Sequence, residues 1–545
     1  MQPTIDQLAD QCIETMVEDH PVFATFLGLH SRDQELGSFS AEAFEEKADH
    51  ARALLAELDR VPLADAPTDT VIDAAVLRIS LRRTVRAHEE LRPHERSPSE
   101  YLGAALSGCH LLVLRNFAPL EERARSLLER IRETPEVLAC CRRNLKDPPG
   151  VFLRIGADRA RGGAAFLRSV VPDIAERVPL LAPDLRRAAV EAADAFDDIA
   201  AWLSELESEA TSPFAVGREY YEWLLKEVHL LDFDSDELLA LGRRTINEVK
   251  AAMAAVASEI DPDKEWREII EALKGDHPPA EGLRERYAFE MERARRFVVE
   301  RDLVTIPDGE KLDVIDTPVF ARAILPYAAY MPAGPFDVRQ QGFFWVTPID
   351  PSRSEEDRER QLRGHGVRLI PVIALHEGYP GHHLQLVRAN ANPGRARKLS
   401  WSTVFIEGWA LYCEEMMKDV GFLEDPASRL FQLKEILWRA SRVVVDVGLQ
   451  RGEMTIDEAI NFMVDEAALE RVNATAEVNR YTANPTQPSS YLVGKLEIME
   501  IRRRYEERLG ANFDLKTFHD TLLDVGSVPP RLARLALGIE EGRPA

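Results

Sequence analysis

The chain has 545 residues, 45% of them hydrophobic, a net charge of −25 and a pI of about 5.1. That length and apolar share can fill a large core, and the acidic balance excludes the basic face on which nucleic-acid binding depends. Five cysteines (Cys12, Cys109, Cys140, Cys141, Cys413) are irregularly spaced, which argues against a disulfide framework and for a reducing compartment. The N-terminal stretch MQPTIDQLADQCIETMVEDH has neither a basic segment nor an apolar one of signal-peptide type. No apolar run approaches the roughly 20 residues that span a bilayer. The expectation is therefore a cytoplasmic protein with no membrane partner. No Gly/Ser tract, low-complexity run or internal repeat interrupts the chain. One domain over 1–545 is expected, with a helical lobe over about 1–300 and a catalytic lobe over about 301–545.

Taken in order, the chain reads first as helices. Ser40 is an N-cap for AEAFEEKADHARALLAELDRV, and a second helix follows from Thr68. Apolar residues recur at spacings of three and four in both, so one face of each packs inward. Asp147 to Gly156, with Pro148-Pro149-Gly150, reads as a loop. Helical patterns resume over 163–177, 183–207, 217–231, 236–260 and 284–301. Near residue 302 the pattern changes to short β-branched stretches at 303–306 and 313–315. Val319 to Tyr330 is apolar and fits helix or strand. Gln341 to Thr347, QGFFWVT, is the strongest strand candidate. After residue 400 helices return over 403–412, 426–450, 455–464, 465–479, 491–508 and 515–523, with a loop predicted at Tyr481 to Ser490. Arg442 and Asp446, four apart on one helix, are expected to pair.

The chemistry concentrates in LHEGYPGHHLQ, residues 375–385, where three histidines and a glutamate occupy eight positions. The nearest simple pattern is His-Glu-x-x-His, two zinc ligands one turn apart with a general-base Glu between them. Here Pro380 takes the place of the second His, and the next histidines come six and seven residues after His376. Seven residues of unbroken helix climb roughly 10 Å, too far for two ligands of one metal. Pro380-Gly381 predicts a break in the helix that returns His382 or His383 toward His376. The apolar stretch 403–412 carries one acid, Glu407, and a buried carboxylate is expensive unless paired or metal-bound. Two histidines and a downstream Glu make a three-ligand site of the catalytic kind, with water in the fourth position.

HEGYPGHHLQ and FIEGWALYCEE together resemble the bacterial "domain of unknown function 885" family. DHPVFATFLGLH, GFFWVTP and RYTANPTQPSSYLVGKLEI fit the same family, so the resemblance spans most of the chain. More distantly the chain is similar to the helical gluzincins, the group of angiotensin-converting enzyme, thimet oligopeptidase and carboxypeptidase Taq. The resemblance implies a mainly α fold, a large helical domain with a small antiparallel sheet beside a deep cleft. It implies a zinc metallohydrolase, a peptidase, with Zn2+ on His376, His383 and Glu407. Glu407 lies 24 residues past His383, the separation usual in that group, and HHLQ aligns so as to favour His383 over His382. The resemblance also makes Gly342 to Val346 the edge strand that holds an extended peptide by strand addition, with Gly342 and Phe344 substrate-binding.

Within that frame Glu377 is the general base, passing a proton from the attacking water to the leaving nitrogen. His382 is assigned to the substrate. An oxyanion donor from the C-terminal helices is expected, Tyr491 first and Tyr481 second, with Arg480 holding a substrate carboxylate. Glu414 and Glu415 are candidate acceptors for a ligand histidine. The expected substrate is a peptide or a small amide. The alternatives are a non-peptide amide or acylated amino acid at the same site, or a helical binding protein without catalysis.

Overall fold

The computed structural model describes residues 3–318, 322, 325 and 327–540. It is 69% helical with one small sheet. Half of the undecided stretch from Val319 to Tyr330 lies outside the described residues; its end, from Ala328, belongs to a strand.

Local chemistry starts the helices where the sequence signals them. Ser40 accepts from the Ala43 amide and opens Ala41–Leu58. Asp234 and Glu237 form a capping box that opens Ser235–Ile260. In the N-terminal half, Ser99–Leu114, Leu120–Asn144, Gly150–Arg177 and Ala182–Glu207 share one core. The loop expected at Asp147 to Gly156 stops at Pro149, and helix runs from Gly150. Its glycines serve packing: a Cβ on Gly163 would sit 2.9 Å from the Phe196 ring, and one on Gly156 2.9 Å from Pro98. Close approach of neighbours here outweighs the weak helix propensity of glycine. Ser235–Ile260 lies along Pro426–Gln450, with Gly242 against Val443.

Three strands follow: β1 (Lys311–Asp316), β2 (Ala328–Met331) and β3 (Gln341–Val346), in the order β1-β3-β2. β1 runs parallel to β3, from Lys311↔Gln341 to Asp316↔Val346, and β2 runs antiparallel to it, from Ala328↔Val346 to Met331↔Phe343. The sheet is therefore mixed, not antiparallel. β3 is its centre, paired on both sides, so it has no free edge for strand addition. The edge beside the cleft is β2. Leu303 to Ile306 is not a strand. The inner face of the sheet carries Phe344 and Val346, which pack on Leu283, Tyr287 and Met291 of Leu283–Glu300 and on Ile370 and Ala374.

The motif forms two half-helices. Ile370–Glu377 has Pro371 in its first turn, and His382–Ala391 resumes after a four-residue break. Thr403–Asp419 then crosses Gln487–Leu509 at two glycines. A Cβ on Gly494 would lie 1.8 Å from the Val404 carbonyl oxygen, and one on Gly408 2.3 Å from the Gly494 carbonyl carbon. The loop expected at Tyr481 to Ser490 shrinks to 483–486 between Arg471–Thr482 and Gln487–Leu509; Pro488 begins the second helix instead of excluding it. Arg442 does not pair with Asp446. It pairs with Glu477 at 2.9 Å, while Asp446 accepts from Tyr221 and Ser489, because the two side chains enter different packing layers.

Candidate metal centre

The break between the half-helices gathers the site. Gly381 has no room for a side chain: a Cβ would lie 1.9 Å from the His376 carbonyl oxygen. The Trp409 indole donates to the Pro380 carbonyl at 2.8 Å and ties the break to the Glu407 helix. Six residues apart in sequence, His376 and His382 come to ring centroids 4.7 Å apart, nearly perpendicular. The Gly408–Gly494 crossing brings Glu407 in from below. His376, His382 and Glu407 each offer a ligand atom, all within 4.8 Å of one another.

The donors fit a small divalent metal. His382 Nε2 stands 3.2 Å from Glu407 Oε2, and His376 Nε2 3.9 Å from it. Ligands at about 2.1 Å from a tetrahedral centre stand about 3.4 Å apart. Glu407 Oε2 is buried and has no hydrogen-bond partner among the described residues. His376 Nδ1 is 2.8 Å from Glu414 Oε1, which fixes the ring with Nε2 toward the cluster. Burial and the neighbouring His382 hold His376 down at about 3, in the neutral form that binds metal. Burial works to raise the Glu407 carboxyl, but His382 and His376 hold it at about 2.

This geometry replaces His383 with His382. His383 is fully buried and turned to the sheet: its Nε2 is 2.6 Å from Glu310 and its Nδ1 3.1 Å from the Tyr330 hydroxyl. Consecutive helical residues point about 100° apart, so only one of the pair can face His376. His382, expected at the substrate, is thus part of the cluster.

The site opens on a cleft of about 610 Å³ lined by Glu377, Tyr330, Arg439, Arg442, Arg480 and Tyr491 among others. Tyr491 stacks parallel to His376 at 6.4 Å and bears on Glu407. Burial pushes its hydroxyl up to about 12, so it remains a donor. Arg442 lies 4.6 Å over the same ring. Arg480 reaches the cleft already engaged with Gln487 at 2.7 Å and Glu477 at 3.0 Å. Two expectations fail on burial. Tyr481 is completely buried and accepts from Arg442, leaving Tyr491 as the cleft tyrosine of the C-terminal helices. Phe344 is 1% exposed against Tyr287, and Gly342 sits beneath His383 and Tyr330, so neither meets a substrate. Glu310 and Tyr330 escaped sequence reasoning. Glu310 follows an Asp-Gly turn with no motif of its own, and Tyr330 closes an apolar stretch of undecided structure.

Fold and site define a helical protein with a buried His-His-Glu cluster, assembled on an interrupted helix at the floor of a cleft. The chain belongs to the family described as "Bacterial protein of unknown function (DUF885)", whose model matches residues 21–537. Two solved structures share the fold. One, described as a "putative lipoprotein of unknown function" from Shewanella oneidensis, has a TM-score of 0.81 at 24% identity, covering 98% of this chain and 99% of that one. The other, a "putative lipoprotein" from Colwellia psychrerythraea, has a TM-score of 0.83 at 19% identity, with 98% and 99% covered. An M32 carboxypeptidase from Deinococcus radiodurans R1 is distantly similar, at a TM-score of 0.43 and 12% identity over 98% of this chain and 95% of that one. No curated protein gives a significant match. The lipoprotein descriptions overturn the expectation of a cytoplasmic protein. That expectation leaned on the cysteine spacing, the N-terminal stretch and hydropathy, and hydropathy establishes only that no helix among the described residues is long and apolar enough to cross a membrane.

Proposed function

We propose that this protein is a zinc-dependent hydrolase of amide bonds and that its substrates are peptides. The observation that carries this reading is the juxtaposition of His376, His382 and Glu407 with Glu377 on the wall of one cleft. A purely structural cluster would have no use for the orphaned Glu407 oxygen or for the opening above it. Zinc bound by His376, His382 and Glu407 supplies Lewis-acid activation of water and of the scissile carbonyl.

The chain's own residues do the rest. Glu377, at the end of its half-helix and next to His376, takes the proton of the attacking water and delivers it to the leaving nitrogen. Tyr491, kept protonated by burial and pressed by Arg442, donates to the carbonyl oxygen as negative charge develops there. Arg439 Nε and Arg442 Nη1 are buried without a hydrogen-bond partner among the described residues, and both side chains line the cleft. Unspent guanidinium donors of this kind suit a carboxylate, which supports a peptide over a neutral amide.

The test couples metal content to turnover. Wild type purified without added metal is expected to carry about one zinc per chain and to cleave members of a peptide library. Glu377→Gln is expected to keep the zinc and lose cleavage by about 10³-fold or more. A zinc-free wild type, or a zinc-loaded Glu377→Gln variant with near-normal turnover, overturns the reading.

A further inference from the structure

A second tyrosine lines the cleft, on its sheet side. Tyr330 of β2 lines the cleft together with Glu377, and its hydroxyl is 3.1 Å from His383 Nδ1. His383 Nε2 is 2.6 Å from Glu310 Oε2. The same Glu310 carboxylate accepts from the Tyr379 hydroxyl at 2.7 Å and pairs with Arg295 at 3.4 Å. Glu310 and His383 are both essentially closed to solvent, with side-chain exposures of 3% and 0%. A chain of polar groups that runs through the closed side chains of Glu310 and His383 to a tyrosine of the cleft wall is costly to bury and needs a reason to exist.

Gly342 is the residue that lets the chain of contacts close. It lies on β3 beneath the contact, where a Cβ would stand 2.7 Å from His383 Nδ1 and 3.0 Å from the Tyr330 hydroxyl. Its φ lies outside the left-handed region, so space and not backbone freedom demands glycine there.

The direction of the hydrogen bonds follows from the donor inventory. An ionised carboxylate only accepts, so His383 Nε2 carries the proton it gives to Glu310. In the neutral ring Nδ1 is then a lone pair, and Tyr330 donates its single proton to it. What Tyr330 has left for the cleft is oxygen lone pairs. The hydroxyl is an acceptor there, where Tyr491 is a donor.

The geometry points to Tyr330 as the group that accepts the N–H of the scissile amide, with His383, Glu310 and Gly342 as its positioning residues. This rests on the amide-hydrolase reading. As the nitrogen becomes pyramidal, its new lone pair must face Glu377 to receive the proton. Its N–H then lies at roughly the tetrahedral angle to that lone pair and needs an acceptor to the side of Glu377. Tyr330 shares the wall of the cleft with Glu377, and its hydroxyl feels that carboxylate's charge.

An ester has no N–H at this position, which gives the test. Zinc-loaded wild type, Tyr330→Phe, Glu310→Gln and Glu377→Gln are assayed on one fluorogenic peptide that wild type cleaves. The same assays are run on its depsipeptide, with oxygen in place of the scissile N–H. Tyr330→Phe is expected to lower kcat on the amide about 10-fold or more with KM within about twofold, and to lower kcat on the ester less than about threefold. Glu310→Gln should show the same amide-selective loss, and should add less than about twofold on top of Tyr330→Phe. Equal losses on amide and ester, or no loss on the amide, overturn the assignment. Glu377→Gln separates the two claims. If it retains both activities, the hydrolase reading fails and this assignment fails with it. If it loses both while Tyr330→Phe does not discriminate, only the assignment of Tyr330 fails. Unchanged zinc content and melting temperature in Tyr330→Phe exclude a folding defect as the source of the loss.

Discussion

His382 and His383 are adjacent, chemically identical and both buried, yet they are committed to different faces of one helix. His382 faces His376 and Glu407; His383 faces the sheet and Glu310. The substitutions His382→Ala and His383→Ala should therefore separate. The first is expected to lose bound zinc on dialysis, and the second to retain about one zinc per chain. Retention in the first with loss in the second, measured by plasma mass spectrometry, would reverse the assignment. Glu414 acts one step further out. It fixes His376 through Nδ1 at 2.8 Å, and loss of such a partner typically weakens metal affinity by about 10- to 100-fold. Glu414→Gln is expected to fall in that range in a competition titration against a chelator; an unchanged affinity would make the contact incidental. Sequence reasoning reached His376, Glu377 and Glu407 because each sits in a local pattern. It chose His383 where the structure brings in His382, since the choice depends on how the second half-helix is turned and no local pattern carries that. That turn is set by the Gly381 contact and by Trp409, 29 residues away.

Among the elements, the Glu407 helix and the Tyr491 helix matter most, because their crossing sets the floor of the site. The backbones touch at Gly408 and Gly494, one residue from Glu407 and three from Tyr491. Gly494→Ala forces a methyl to within 1.8 Å of the Val404 carbonyl oxygen, backbone that cannot swing aside. Overpacking of this kind costs about 1–3 kcal/mol and at times more. The variant is expected to melt several degrees lower and, where folded, to bind zinc more weakly, because Glu407 moves with its helix. Gly162→Ala is the control: nothing lies within 4 Å of its Cβ, and the residue is helical, so stability should hold or rise slightly. Equal stability of Gly494→Ala and wild type in a thermal scan would show that the crossing is looser than the structure has it. Most elements were legible from periodicity and caps. Of the sheet, β1 and β3 were legible as strands and β2 was not, and the small sheet that the resemblance implied as antiparallel is mixed. β3 reads as the strongest strand in isolation, but its central place depends on partners at 311–316 and 328–331, and pairing is a non-local property.

The whole molecule carries a set of histidines that are buried neutral outside the metal cluster, and they tie its stability to pH. Burial lowers His229 to about 3, and His365 and His519 to about 4. His519 shows why the neutral form is built in: its Nδ1 donates to the Leu303 carbonyl at 2.7 Å and its Nε2 accepts from the Tyr412 hydroxyl at 2.8 Å. A proton on Nε2 would break the second bond in a closed core. Each of these groups has a folded pKa below the ordinary value of about 6.5, so the unfolded chain binds the proton more readily than the folded one. Their stabilising contribution is fully present above pH 6.5 and is lost as pH falls toward 4. Each adds up to about 1.4 kcal/mol per pH unit to the slope of unfolding free energy over that window. The free energy from urea unfolding is expected to drop steeply from pH 6.5 to 5, before most carboxylates protonate. His519→Gln isolates one such group from metal release and from acid effects elsewhere. It should be less stable than wild type at pH 7.5 but lose stability more slowly on acidification, the two curves converging by about one proton's worth per pH unit. Parallel curves would mean that His519 does not titrate between the two states and that the core tolerates its charge.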